Sequence, residues 1–351
     1  MTSVIFQNYF ICLFSIFFYY FFFKKPKASR LRLNLPPSPP SLPIVGHLHL
    51  VLSPLFHKSL KKVSAKYGPL LHLRVFKFPI VVVSSASVAY EIFRAHDVNV
   101  SSHGFTPIED SLLFGSSGFI SAPYGDYWRF MKKLTELLIG GSDTSAQTTQ
   151  WIMAEITDKP NILTRLREEI DSVVGNTRLI QETDLLNLSY LQAVVKEGLR
   201  LHPPGPVLLR EFQQGCKIGE FYIPEKKMLL VNSYAIMRDP HNWEDPDEFK
   251  PERFLASSRS GQEDEKRERA LKYIPFGSGR RGCLGEDLAY VFLATAVGMM
   301  VQGFEWQIKE EKVNMEEAVV GMSLAMSHPP KFTPIARTLN PLSLNMPNRK
   351  S

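Results

Sequence analysis

Apolar positions recur along the chain in three patterns, and each predicts a different kind of element. Val4 to Phe23 is an almost continuous apolar run, broken only by Gln7, Asn8 and Ser15. As a helix it would rise about 30 Å, the thickness of a bilayer's hydrocarbon core. Spacing of three and four residues predicts amphipathic helices over Pro54–Lys66, Ser87–Ala95, Asn161–Val174, Tyr190–Leu201 and Asp287–Gln302. A longer helical pattern runs from Gly125 to Ile156, with Gly140-Gly141 as its only turn signal. Short β-like runs fall at Leu70–Val75, Pro79–Val83, Val207–Phe212, Lys217–Tyr222, Met228–Val231 and Phe304–Ile308. Ser101–Ala122 reads as loop, and the charged stretch Gly261–Ala270 as a solvated turn. The fold class expected is mainly α with small β sheets, which excludes a doubly wound α/β fold and an all-β sandwich.

Charge changes the picture. The net charge of +6 is an average over two unlike parts. Residues 1–90 hold eleven Lys and Arg and no Asp or Glu, so the front carries +11 and the remainder −5. A nucleic-acid binder would keep its basic residues on the folded domain, so that class is set aside. Lys24, Lys25, Lys27, Arg30 and Arg32 follow the apolar run directly, which points that end to the cytosol. The run is too long for a cleaved signal peptide, no charge precedes it, and no small-residue cleavage site follows. Five prolines in Leu35–Gly46 then make a stiff spacer. The organisation expected is a single-span anchor over 1–23, a basic and proline-rich spacer over 24–46, and one cytosolic domain over 47–351. Three cysteines, far apart, fit neither a disulfide framework nor a zinc cluster. His47 and His49 have no acid or cysteine nearby to complete a metal site.

The densest chemistry lies in Phe276-Gly277-Ser278-Gly279-Arg280-Arg281-Gly282-Cys283-Leu284-Gly285. Its four glycines let a backbone pass close to a flat ligand. Cys283 precedes a predicted helix, whose N-terminal N–H groups favour a thiolate. Arg281 places a cation two residues away, suited to a carboxylate. A lone thiolate in such a loop suits axial ligation of haem iron. Gly277, Gly279 and Gly282 also match a dinucleotide fingerprint in form, but no clear strand precedes them and no βαβ unit follows.

The pattern F-x-x-G-x-R-x-C-x-G, set by Phe276, Gly279, Arg281, Cys283 and Gly285, resembles the haem-thiolate monooxygenases of the cytochrome P-450 superfamily, in their plant membrane-bound form. Further motifs carry the same resemblance. Glu197 and Arg200 form E-x-x-R in KEGLRLHPP, and Arg253 lies in Pro251-Glu252-Arg253-Phe254. The resemblance implies that these three join in a buried structural triad. Gly140-Gly141-Ser142-Asp143-Thr144-Ser145 is similar to the family's oxygen-activating helix, which gives Asp143 and Thr144 a proton-relay role. Trp128 and Lys132 match a W-x-x-x-R element that donates to haem propionates, with Lys where Arg is usual. Arg210, in PVLLRE, matches another propionate-binding arginine. The cofactor implied is haem b, its iron held by Cys283, with electrons from NADPH through a membrane-bound reductase. The location implied is the endoplasmic reticulum membrane.

The resemblance spans the chain but is interrupted. The family places a long helical stretch between the propionate-binding helix and the oxygen-activating helix, and here only Lys133–Ile139 lies between them. An internal deletion is expected near Leu138/Ile139, which would remove the substrate lid. On one unbroken helix Trp128 and Thr144 would lie about 24 Å apart, longer than a haem macrocycle, unless the chain breaks at Gly140-Gly141. The segments GFISAPYGDYWRFMKKL and HPPKFTPIARTLNPL resemble the flavone synthases and 2-hydroxyisoflavanone synthases. The function expected is hydroxylation or desaturation of a small hydrophobic plant metabolite, a flavanone above all. The alternatives are a catalytically silent, membrane-anchored haem protein and a triterpenoid hydroxylase.

Overall fold

The computed structural model describes residues 34–102, 125–126, 140–255, 272–308, 312–320 and 323–337. The apolar run, the basic cluster behind it, Trp128, Lys132, the expected junction at Leu138/Ile139 and the charged turn lie outside the described residues. In chain order the helices are α1 (Leu48–Val51), α2 (Phe56–Tyr67), α3 (Ala86–Ala95), α4 (Gly141–Asp158), α5 (Pro160–Val173), α6 (Ser189–Leu201), α7 (Ser233–Ile236) and α8 (Glu286–Gly303). The strands are β1 (Leu70–Val75), β2 (Phe78–Val83), β3 (Leu208–Glu211), β4 (Cys216–Ile218), β5 (Phe221–Ile223), β6 (Met228–Val231), β7 (Phe304–Ile308), β8 (Glu317–Val320), β9 (Ser323–Met326) and β10 (Phe332–Ala336).

The largest sheet has the order β1-β2-β6-β3. Its central pair, β2 and β6, is parallel, with Val81 opposite Leu229 and Val83 opposite Val231. Both strands read as unbroken apolar runs because both faces are covered. Val81, Val83, Leu229 and Val231 pack on α3 through Ala89 and Ile92. Ile80, Val82 and Leu230 point to the other face, where Leu60 of α2 joins them. Period two in the strands thus assigns alternate residues to two separate cores.

A helical core forms the other half. Ile152 and Ile156 of α4, Leu166 and Ile170 of α5, Leu191 and Val194 of α6, and Val297 and Val301 of α8 make one cluster. Gly198 of α6 faces Ile152, and a Cβ there would overlap that side chain, so the α4–α6 crossing needs glycine. α8 is apolar around most of its circumference, yet Leu288 and Phe292 on its outer side are 54% and 53% exposed.

Several expectations are refined. The run Lys217–Tyr222 is a hairpin, β4 and β5, turned at Gly219 with φ +54°. The strands β8, β9 and β10 carry no alternation strong enough to predict them. β8 and β9 pair with each other, and β10 completes a ribbon with β7. Among the described residues of the Gly125–Ile156 pattern the helix runs from Gly141 to Asp158, two residues further than expected. Gly140 takes φ −75° and ψ −28°, a right-handed helical conformation, so the backbone does not break at that glycine. Among the described residues no helix is long and apolar enough to cross a membrane. His47 serves the fold. Its Nδ1 accepts from the Arg74 N–H at 2.9 Å, and its Nε2 lies 2.9 Å from the Pro39 carbonyl, tying the proline spacer to β1.

Candidate functional site

The loop before α8 folds on itself. The Gly277 N–H donates to the Ile274 carbonyl at 3.1 Å, and the Gly282 N–H to the Gly279 carbonyl at 2.9 Å. The Cys283 N–H donates to the Phe276 carbonyl at 2.9 Å, which closes a loop of eight residues. Gly277 and Gly279 have φ of +77° and +72°, where a side chain would be strained. The Phe276 ring meets Tyr290 of α8 edge-on at 5.2 Å. The Tyr290 hydroxyl in turn donates to the Tyr273 hydroxyl at 2.9 Å, so aromatic packing and a hydrogen bond both hold the loop to α8. Cys283 is exposed and forms no disulfide. It stands three residues before the first residue of α8, and Gly285 at the helix start supplies no side-chain cap. A Cβ on Gly285 would meet the Cys283 sulfur at 3.8 Å, which places the thiol at the start of α8, where the helix dipole favours a thiolate.

Two arginines meet behind this loop. Arg210 of β3 and Arg281 are 3% and 6% exposed. Arg210 Nη1 donates to the Leu209 carbonyl at 2.7 Å and Nη2 to the Arg281 carbonyl at 3.2 Å. Arg281 Nε donates to the Ser101 carbonyl at 2.7 Å. Burial first, and the neighbouring Arg281 charge second, push the Arg210 guanidinium down to about 10, with Asp97 opposing. Two like charges held in low dielectric favour an anion between them. A thiol at a helix start, a backbone kept bare by glycine, and a buried arginine pair fit a flat iron porphyrin bearing carboxylates. Cys283 would hold the iron, and Arg210 and Arg281 would meet the carboxylates.

The structure brings Glu197, Arg200 and Arg253 together. Glu197 and Arg200, both fully buried, pair through Arg200 Nε at 2.7 Å and Nη2 at 2.9 Å. Arg253 Nε reaches Glu197 Oε1 at 3.2 Å. Arg200 Nη1 also donates to the carbonyls of Met237 and Pro246 at 2.8 and 2.7 Å, and Arg253 to those of Glu244 and Asp245. The pair of α6 thereby fastens the whole 237–253 meander, which the backbone carbonyls alone could not do.

Asp143 and Thr144 stand on the first turn of α4, apart from the loop but on a helix that packs against α8. Asp143 is exposed, and the Thr144 hydroxyl donates to the Gly140 carbonyl at 2.6 Å. Trp128 and Lys132 lie outside the described residues. One participant carried no signal in the sequence: Asp97, which follows α3. Ser101, at the start of a segment read as a candidate pocket lining, takes part through its carbonyl, which receives Arg281. Elsewhere, a cavity of about 650 Å³ is lined by residues including Glu155, Lys159, His202, Arg238 and Glu317. Its charges are largely spent on one another: Glu155 holds His202 at 2.8 Å and Lys159 at 2.5 Å, and Glu317 holds Lys58 at 2.9 Å and Arg238 at 3.5 Å. No residue of the cysteine loop lines it.

Comparison with known proteins agrees with this geometry. The family model for cytochrome P-450 matches residues 36–135 and 130–334. Cytochrome P-450 705A22 of Arabidopsis thaliana is 46% identical over 498 positions, taking in 95% of this chain and 96% of the relative. The 3,9-dihydroxypterocarpan 6A-monooxygenase of Glycine max is 29% identical, with 96% of this chain and 99% of the relative covered. A zebrafish cytochrome P-450 with abiraterone shares the fold, with a TM-score of 0.67, 19% identity, and coverage of 80% of this chain and 99% of that one. The 498-position alignment exceeds the 351-residue chain by 147 positions, and the two stretches of the family match meet at residues 130–135. This chain is therefore shorter than its relatives by an internal stretch. Cysteine loop, buried arginine pair, glutamate–arginine brace and matched sequence converge on one conclusion: the chain belongs to the cytochrome P-450 family, whose members are monooxygenases.

Proposed function

We propose that the chain is a haem-thiolate monooxygenase acting on a small hydrophobic plant metabolite of the flavonoid class. The observation that carries it is Cys283 at the start of α8 beside the buried pair Arg210 and Arg281. Haem b, when bound, supplies activation of dioxygen for insertion of one oxygen atom. The chain's own residues do the rest. Arg210 and Arg281 offer two cations to the carboxylates, and Phe276 and Tyr290 wall the loop with apolar rings. Glu197, Arg200 and Arg253 keep the 237–253 meander in register, and Asp143 and Thr144 supply an acid and an alcohol able to carry a proton along the first turn of α4. The flavonoid class is favoured by similarity to a protein named for a dihydroxypterocarpan. Electrons would arrive from NADPH through a reductase.

A membrane location follows from the apolar run and the basic residues behind it. An exposed apolar patch supports it: Leu42, Ile44, Phe76 and Phe78 are 49%, 47%, 44% and 54% exposed. They are neighbours, since the Phe76 N–H donates to the Val45 carbonyl at 3.2 Å and Gly46 bridges to Val75. Alkaline carbonate washing of membranes carrying the full chain should leave it in the pellet. Recovery in the wash would remove the anchor.

The second reading, a silent haem protein, has its own support. At least 147 of the 498 aligned positions have no counterpart here, and Leu288 and Phe292 lie open on a helix whose composition is that of a buried one. An open site admits water and uncouples oxygen activation from product. The deciding measurement is made on the full chain with its reductase. A thiolate-type band in the reduced, CO-bound difference spectrum, with product formed from a flavanone, is expected for the enzyme. The band without product selects the silent form, and no band at all overturns haem binding.

A further inference from the structure

We infer that Asp97 positions the cysteine loop for haem capture, as the anchoring point of a brace formed by His96–Ser102. The inference rests on the haem reading above. The brace leaves α3 where the His96 N–H caps the helix on the Ile92 carbonyl at 2.8 Å. From there it is tied on two sides. Towards the sheet, the Asn99 carbonyl and side chain receive the N–H groups of Gln213 and Gln214 at 2.9 and 2.6 Å, and the Ser102 carbonyl receives that of Glu211 at 2.8 Å. Towards the cysteine loop, Asp97 Oδ1 accepts the Arg280 N–H at 3.0 Å, Asp97 Oδ2 pairs with Arg280 Nε at 3.2 Å, and the Ser101 carbonyl accepts Arg281 Nε. One seven-residue segment therefore ties the strand bearing Arg210 to the loop bearing Arg281 and Cys283.

Asp97 stands at the decisive point of this arrangement. Gly279 turns with φ +72°, and a Cβ there would overlap Asp97 Oδ1 and crowd Phe93. The glycine thus admits the carboxylate as well as permitting the turn. With the Arg280 N–H fixed, the 3₁₀ turn Gly279–Arg281 is set, and Arg281 is delivered beside Arg210 two residues before the cysteine. The Asp97 charge also opposes the repulsion that the Arg281 charge exerts on Arg210. Asp97 touches neither Cys283 nor the carboxylate-binding ends in this scheme; it acts through Arg280 and the loop backbone, so that the arginines stand together before haem arrives.

The test uses the full chain with Asp97→Ala, Asp97→Asn, Gly279→Ala and the double variant Asp97→Ala/Gly279→Ala. Haem release is followed by transfer to excess apomyoglobin, and hydrogen exchange of the Arg280 amide is followed in the haem-free chain. Asp97→Ala should release haem at least about tenfold faster, with a comparable loss of Arg280 protection, because a charged acceptor is lost. Asp97→Asn, which keeps an oxygen for the Arg280 N–H, should stay within about threefold of the parent. Gly279→Ala should also release haem faster, and the double variant should do so by less than the product of the two single effects. Release and exchange unchanged in Asp97→Ala would overturn the inference, as would strictly multiplicative effects in the double variant. A parent chain that takes up no haem defeats the haem reading instead. Arg280 exchange then still decides whether Asp97 holds the loop. If Asp97→Ala does not fold, Arg280 protection that falls as far in Asp97→Asn as in Gly279→Ala overturns it.

Discussion

Cys283→Ala should erase the thiolate-type spectrum and all monooxygenase turnover while leaving the fold in place. The two halves of that expectation come from different atoms. Cys283 contributes its backbone N–H to the Phe276 carbonyl, and alanine keeps that bond. Its side chain is exposed and packs into no core, so the unfolding free energy should change by less than about 0.5 kcal/mol. Nothing else in the loop can replace the sulfur as a soft, anionic ligand: the neighbouring side chains are two arginines, a leucine and glycines. Reduced, CO-bound spectra and denaturant titration of the same preparation check both halves. A thiolate-type band in Cys283→Ala would remove Cys283 from the site.

Glu197→Ala carries the largest expected cost in stability. Glu197 and Arg200 are completely buried, and the carboxylate also receives Arg253 Nε at 3.2 Å and the Lys250 N–H at 2.8 Å. Removing it strands a fully buried guanidinium and leaves a backbone N–H without its acceptor. A broken buried pair of this kind costs about 3–5 kcal/mol, which approaches the total stability of many domains. The variant should accumulate mainly as insoluble protein, or unfold at a much lower urea concentration than the parent. Arg200 also stacks on Trp243 with 5.2 Å to the ring centroid and holds three carbonyls of the 237–248 segment, so Arg200→Lys should be costly as well. Unaltered solubility and an unaltered urea midpoint in Glu197→Ala would show that the triad braces nothing.

These two cases differ in how far they could be read from the chain. The Glu197–Arg200 contact is local, three residues apart on one helix face, and the cysteine loop with its glycines and following helix fits within Phe276–Gly285 and the start of α8. Such features depend on helix geometry and backbone freedom, which neighbouring residues settle between themselves. The helix α4 was legible but for its last two residues, while β8, β9 and β10 were not, because a four- or five-residue strand in a small ribbon carries too little alternation to stand out. Asp97 left no trace either. An aspartate just after a helix is ordinary in composition, and only the approach of Gly279 makes it particular.

Local chemistry is written in neighbouring residues: a thiolate-capable cysteine ahead of a helix, glycines around it, an ion pair on α6 and a chain lacking part of its family's length. Long-range packing sets which charges meet. Arg253 reaches Glu197 across 56 residues, Arg210 reaches Arg281 across 71, and Ser101 and Asp97 reach the cysteine loop across 180 and 183. Periodicity records which face of an element is buried, but not what it is buried against. The core on the α3 side of the central β2–β6 pair holds both Val100 of the brace and Ile274 just before the cysteine loop, and so brings the two together. No local pattern encodes that closure, because its entropy grows only slowly with length and favours no particular partner.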